Sequence, residues 1–213
     1  MTAVLSVSGV PGVTAVRPVG ATAALVEVDD AAHALALSLW LRSRVAALDV
    51  VPAAATVLVD GCSAADLHAV VGHWTGSADT PDGPLVEVPV VYDGPDLAGV
   101  AGLLGLTVDE VVAAHTETEH VVAFCGFAPG FGYLAGSPWD VPRLASPRAW
   151  VEPGSVGLAA SWTGVYPTAS PGGWQLVGRT DVVLWDPSAP RPALFEPGTR
   201  VRFVQVAALG GGS

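Results

Sequence analysis

The chain has 213 residues, 51% of them hydrophobic, and a formal charge of −11; all nine of its basic residues are arginine. So acidic a surface repels phosphate backbones and anionic lipid, which argues against nucleic acid or a membrane as partner and leaves proteins and small molecules. With no lysine, the chain can supply neither a Walker A loop, nor a Schiff base, nor an attachment point for biotin.

The length suits two small domains at roughly 100 to 200 residues per domain. No run of about 18 apolar residues is free of charged residues or repeated Gly and Pro, so no membrane span is expected. MTAVLSVSGVPGV, residues 1–13, lacks a basic segment and is broken by Gly9, Pro11 and Gly12. It does not read as a signal peptide, and a cytoplasmic location is the default expectation. Cys62 and Cys125 form no CxxC or Cys/His spacing and read as ordinary buried thiols.

In chain order, VTAV (13–16) and TAALVEV (22–28) read as strands. Residues 31–48 carry helix-compatible apolar positions at Leu35, Leu39, Trp40, Val45 and Leu48. ATVLVD (55–60) reads as a strand, after which Ser63 and Asp66 provide a capping-box-like start to a helix through residues 68–71. These elements suggest an α+β domain of split βαβ type over residues 1–80, with LVEV (85–88), just past that bound, expected to join its sheet. The turn-rich GSADTPDGP (76–84) is the expected hinge.

Beyond the hinge, EVPVVY (87–92) reads as a strand, and Pro95 suits the first turn of a segment ending near Gly105. Thr107 and Glu110 have capping-box spacing for a helix to about His115, followed by HVVAF (120–124). The runs WVEPG, VGLAA, WQLVG, VVLW and VRFVQV, separated by Gly and Pro, predict short strands of an antiparallel β-barrel over residues 81–207. The tail 208–213, ALGGGS, reads as a flexible linker.

Several residues could carry chemistry. Gly126, Pro129, Gly130 and Gly132 would let a loop bring its amides close to an anion, or would only turn a barrel corner. Tyr133 could donate to a carbonyl oxygen or seal the barrel with its ring. Ser170, Gly172, Gly173 and Trp174 form either a binding wall or a hairpin with a core Trp. Arg179 and Arg148 are candidates for a carboxylate or phosphate, with Arg143 beside them as an anion or interface contact and Glu152 available to pair. His115 sits where a cation would complement a helix C-terminus. His33, His68, His73 and His120 make no zinc spacing. Ser63 lacks the GxSxG setting of a nucleophile elbow.

GFAPGFGYL (126–134) and TGVYPTASPGGWQLVGRT (163–180), with LTVDEVVAAHTETEHVV, RLASPRAWVEPGSVGLAAS and FEPGTRVRFV around them, resemble the carboxyltransferase subdomain C/D, or allophanate hydrolase subunit 1, family. That family includes the B subunit of 5-oxoprolinase, kinase-inhibitor-type sporulation proteins and half of the urea carboxylase carboxyltransferase domain. The likeness is strong over about residues 85–206 and weaker over 13–75. It implies an N-terminal α+β domain followed by a cyclophilin-like barrel. It implies a homologous C subunit and an A subunit as partners, and ATP-dependent conversion of 5-oxo-L-proline to L-glutamate, with ATP bound somewhere in the complex. A histidine-kinase-inhibiting regulator and half of a biotin-dependent carboxyltransferase are the alternatives it leaves open. It implies a catalytic set of His115, Tyr133, Arg148 and Arg179, and adds Thr163 and Tyr166 to the loop residues as substrate contacts. Gly132 stands where the family usually has Pro, and Trp162 where a Gln is common.

Overall fold

Alternating buried and exposed residues over 13–28 build the first sheet, because period-two patterning gives a strand one apolar face. In a computed structural model, which describes residues 4–76 and 83–210, the chain divides into two units, Met1–Pro81 and Asp82–Ser213. Residues 77–82 of the expected hinge at 76–84, and 211–213 of the 208–213 tail, lie outside the described residues.

The first unit runs β1 (Leu5–Ser6), β2 (Val13–Val19), β3 (Ala23–Val28), α1 (Ala31–Arg42), β4 (Asp49–Pro52), β5 (Thr56–Asp60) and α2 (Ala64–Val71). Its sheet has the order β1-β2-β3-β5-β4. Strand β5 is antiparallel to both β3 and β4, so β3 and β4 are parallel to each other with β5 between them. This is the split βαβ arrangement, with α1 as its crossover. Asp30 caps α1 by accepting from the His33 amide at 2.8 Å, and Ser63 caps α2 by accepting from the Asp66 amide at 3.2 Å.

Helix α1 stops well short of residue 48, because the chain must turn back in time for Asp49–Pro52 to pair with β5. Leu48 is consequently exposed rather than part of a helix face.

The second unit begins with β6 (Leu85–Val90), so LVEV belongs here and not to the first sheet. The apolar content of that segment fits either sheet, and its pairing with the distant β14 decides the matter. Next come α3 (Leu97–Leu104) and α4 (Val108–Glu117), then β7 (Glu119–Cys125), β8 (Gly132–Ala135), β9 (Arg148–Val151), β10 (Ser155–Ala159), β11 (Trp162–Val165), β12 (Ser170–Gly172), β13 (Gln175–Arg179) and β14 (Arg200–Gln205). Gly105, at φ 68°, ends α3 in the left-handed conformation. Thr107 and Glu110 form the full capping box of α4. Of the run VVLW, only Trp185 makes a β-bridge, to Ala193.

Seven strands form one sheet in the order β13-β10-β11-β8-β7-β14-β6. Val91, just past β6, exchanges two 2.9 Å backbone hydrogen bonds with Arg179 at the end of β13, which nearly closes the sheet into a barrel. One pair, β6 with β14, is parallel, so the barrel is not wholly antiparallel. Its interior holds Val88, Val122, Leu134, Val156, Leu158, Val177 and Phe203, closed at one side by Val100, Val111 and Val112 of α3 and α4. Each such side chain contributes about 1.5–3 kcal/mol by leaving water. A separate cluster, with Phe131, Tyr166, Trp174 and Leu176 at its centre, packs apart from that interior. Leu176 and Val177 belong to different clusters because successive strand residues face opposite ways.

Among the described residues no single helix is long and apolar enough to cross a membrane. The pair α3 and α4 has the composition for it but bends by 91°, and Leu97, Val100, Ala101, Val111 and Val112 of the pair sit in the barrel core.

Candidate functional site

After β7 the chain makes a tight loop from Gly126 to Phe131. Phe127 and Gly130 both have positive φ, 69° and 83°. Gly130 has no room for a side chain, since a Cβ there would lie 2.9 Å from Trp185 Cβ and 3.0 Å from the Leu184 carbonyl oxygen. Within the loop the Gly126 amide donates to Phe131 O at 3.2 Å, the Ala128 amide to Gly126 O at 2.8 Å, and the Phe131 amide to Ala128 O at 3.0 Å. Pro129 has no N–H. The amides of Gly126, Ala128 and Phe131 are therefore engaged within the loop. What it presents instead is aromatic surface: Phe127 is 61% exposed, with its ring edge-on to Phe131 at 5.3 Å and to Tyr166 at 6.2 Å.

Phe127, Phe131 and Tyr133 form one part of the lining of a cavity of about 240 Å³. Tyr166 and the segment Pro171–Trp174 supply another, and Arg143 and Pro147 complete it. The rings hold one another edge to face, with Trp174 at 5.4 Å from Phe131 and 5.6 Å from Tyr133. Tyr133 also stacks on Phe124 at 4.4 Å. Trp162 stands edge-on to Phe124 at 5.2 Å and so belongs to the same aromatic packing. Gly132 faces Phe195 Cβ and Val122 Cγ1, which a Cβ would approach to 3.2 and 3.3 Å.

Burial pushes the Tyr166 hydroxyl above the ordinary phenol value, opposed by the Trp174 backbone and the Arg143 and Arg148 charges. Tyr166 therefore stays protonated near neutral pH and can donate. A Cβ on Gly172 would lie 2.4 Å from the Tyr166 hydroxyl oxygen, so only glycine permits this approach. Gly173 accepts from the Leu144 amide at 2.8 Å, and Gln175 Nε2 donates to Pro142 O at 3.1 Å. Ser170, on β12, has a buried hydroxyl without a hydrogen-bond partner among the described residues.

The structure thus gathers Tyr133, Tyr166, Gly172, Gly173 and Trp174 at one cavity, with Gly126, Pro129, Gly130 and Ser170 in the segments that shape it. Arg148 stands beside that cavity, paired with Gly172 across β9 and β12 but outside the lining, and the remaining candidates lie elsewhere. Arg148 donates to Asp96 at 2.6 Å and to the Trp174 carbonyl at 3.4 Å. Asp96 also accepts from the Leu176 amide at 2.7 Å, so the carboxylate at the start of α3 ties that helix to β9 and β13 instead of capping it. Arg179 pairs with Asp93 at 2.9 Å on the surface. Glu152 accepts from Trp150 Nε1 at 2.8 Å rather than from an arginine.

His115 and Thr163 are both buried and lie together elsewhere. Nδ1 of His115 is 2.7 Å from the Tyr92 hydroxyl, and Nε2 is 3.3 Å from Thr163 Oγ1. Burial holds His115 well below the usual histidine range, with the charge of neighbouring His120 acting in the same direction. Burial also pushes the Tyr92 phenol up. Tyr92 therefore donates to Nδ1, and the neutral imidazole carries its proton on Nε2 toward Thr163. A neutral ring so enclosed organises the core and is no helix-terminal cation.

Cys62 and Cys125 are free and half-buried, and burial raises both thiols, Cys125 to about 11. Among the described residues no three His, Cys, Asp or Glu side chains are grouped to hold a metal ion. The cavity does not fit ATP either: Arg143 is its one cationic side chain, and its volume is below the ~300–1,000 Å³ usual for sites that bury drug-sized ligands. Sequence reasoning does not single out Phe127 and Phe131. The available signal is a pair of aromatic residues inside a Gly/Pro loop, where an exposed ring has no packing reason to be.

The geometry has counterparts. The chain is 50% identical over 129 residues to the B subunit of 5-oxoprolinase from Escherichia coli O157:H7, covering 58% of this chain and 59% of that protein. It is 45% identical over 128 residues to the B subunit of 5-oxoprolinase from Bacillus subtilis strain 168, covering 58% and 53%. The matches therefore span little more than half the length of these curated relatives. The crystal structure of TTHA0988 superposes with a TM-score of 0.71 at 34% identity, covering 87% of this chain and 40% of that one. Residues 14–195 match the family described as carboxyltransferase domain, subdomain C and D, and to that family the chain belongs.

Proposed function

We propose that this chain acts as the B subunit of a composite, ATP-dependent 5-oxoprolinase, opening 5-oxo-L-proline to L-glutamate together with a homologous C subunit and an A subunit. The observation that carries the reading is the 50% identity to an oxoprolinase B subunit. The aromatic cavity supports it, because a small ring compound fits such walls. A lactam resists water, so ATP would serve to activate its carbonyl oxygen, and charge developing there needs fixed donors. This chain offers the Tyr133 and Tyr166 hydroxyls and the Arg143 guanidinium around one space. Nucleotide binding and the attack by water fall to partner subunits, so the isolated chain is expected to be inactive. Co-expression with candidate C and A subunits, followed by ATP-dependent glutamate release, tests the reading. Release that persists undiminished when this chain is omitted removes it.

A further inference from the structure

Arginines in an acidic chain find partners, and here nearly all of the nine do. Arg17, Arg148, Arg179, Arg191, Arg200 and Arg202 meet carboxylates, while Arg42 and Arg44 donate to the carbonyls of Val50 and Trp40. Among the described residues Arg143 is the exception, with neither an ion pair nor a hydrogen bond at its guanidinium, and it lines the aromatic cavity. Its backbone is nevertheless anchored on both sides. Pro142 O accepts from Gln175 Nε2 at 3.1 Å, and the Leu144 amide donates to Gly173 O at 2.8 Å. The segment carrying Arg143 is thereby fixed to the one carrying Trp174.

We propose that Arg143 holds the carboxylate of a small, flat-faced acid lying in this cavity against Tyr166 and Trp174. A guanidinium presents a planar two-point fork that matches a carboxylate. Rings on several sides offer flat apolar faces to a ring compound, and the protonated Tyr166 hydroxyl is a donor for a second polar atom such as a lactam oxygen. One cation in about 240 Å³ matches a monocarboxylate and not a nucleotide, whose phosphates carry several charges. The inference deepens the oxoprolinase reading and rests on it for the identity of the acid.

The full chain is titrated with 5-oxo-L-proline and with 2-pyrrolidinone, the same ring lacking the carboxylate, using tryptophan fluorescence and calorimetry. Wild type is compared with Arg143→Lys and Arg143→Ala, and the same variants are assayed in the reconstituted complex. The acid is expected to bind at least about tenfold more tightly than 2-pyrrolidinone, and either variant to lose at least about tenfold in affinity. In the complex, KM for 5-oxo-L-proline should rise while KM for ATP and the melting temperature stay put. Equal binding of the two ligands overturns the assignment, as does an Arg143→Ala chain with unchanged affinity, or a complex whose KM for the acid ignores both variants. A chain that binds small acids through Arg143 yet adds nothing to lactam opening keeps this inference and loses the oxoprolinase reading. A lactam-opening complex indifferent to Arg143 does the reverse.

Discussion

Gly157 and Gly164 are cross-strand partners on β10 and β11, and neither has a side chain where the aromatic cluster lies. A Cβ on Gly164 would come 2.8 Å from Phe131 Cζ and 2.9 Å from Trp174 Cζ3, and one on Gly157 3.1 Å from Trp174 Cβ. The paired glycines are thus the floor on which the cavity's rings rest.

Gly164→Ala should therefore push Phe131 and Trp174 out of place and destabilise the chain by about 1–3 kcal/mol, the usual cost of overpacking. Gly99→Ala is the control, since Gly99 lies within α3 with nothing near its Cβ position. There alanine should stabilise by about 0.4–1 kcal/mol through helix propensity and the unfolded chain. Urea unfolding followed by tryptophan fluorescence reads both variants. A Gly164→Ala chain as stable as wild type would show that the rings do not need this floor.

Among the described residues of the barrel unit, Asp96 and Arg148 make the most enclosed ion pair, at 2.6 Å with side chains 13% and 28% exposed. Asp96→Asn leaves Arg148 without its counter-charge, and should cost roughly 2–3 kcal/mol, below the ~3–5 kcal/mol of a fully buried pair because Arg148 keeps some water. In a double-mutant cycle with Arg148→Ala the two effects should be strongly non-additive. Additive losses would mean that the carboxylate matters only through the Leu176 amide.

The buried histidines predict acid sensitivity. Burial pulls His120 down to about 4, opposed by backbone contacts at His115 and Ala135, and holds His115 lower than its usual value too. In the unfolded chain both titrate near 6.5. Between about pH 6.5 and 4 the unfolded state binds more protons, so stability is complete above that window and declines as pH falls through it. Melting temperatures taken from pH 7.5 to 4.5 should fall, and His120→Leu should flatten the slope. An unchanged slope in that variant would assign the acid sensitivity to other groups.

Much of the fold is legible locally. Thr107 and Glu110, Ser63 and Asp66, and Gly105 carry their cap geometry in residue type alone. The end of α1 is not legible that way, because Val45 and Leu48 continue the helical spacing and only the demand of β4 for a partner stops the helix. Local pattern assigns LVEV to the wrong unit for the same reason: its partner β14 lies more than a hundred residues away. At the site, Tyr133 and the SPGGW segment stand out in the sequence as aromatics among glycines in two separate motifs, and the family resemblance adds Tyr166. The arginines do not sort themselves in this way. Sequence shows a guanidinium but not its partner, and Asp96 and Asp93, far upstream, engage Arg148 and Arg179 while leaving Arg143 open.

Arg179 provides the sharpest contrast with Arg143. In sequence it follows the SPGGW motif closely enough to suggest a ligand contact. Its position at the end of β13 instead places it beside Asp93, at 2.9 Å, with the two side chains 54% and 46% exposed. Water and salt screen such a pair, which is worth roughly 0–1 kcal/mol. The closure of the barrel at this point is made by the Arg179 backbone, bonded to Val91, and that survives any change of side chain. Arg179→Lys keeps the charge and should leave the melting temperature unchanged and the kinetics of the reconstituted complex within about twofold of wild type, a change of less than about 0.5 kcal/mol. The same complex carrying Arg143→Lys should show its raised KM for the acid. A loss of about tenfold or more in kcat/KM for Arg179→Lys, with an unchanged melting temperature, would return Arg179 to the site and imply that a partner subunit completes a second anion contact there.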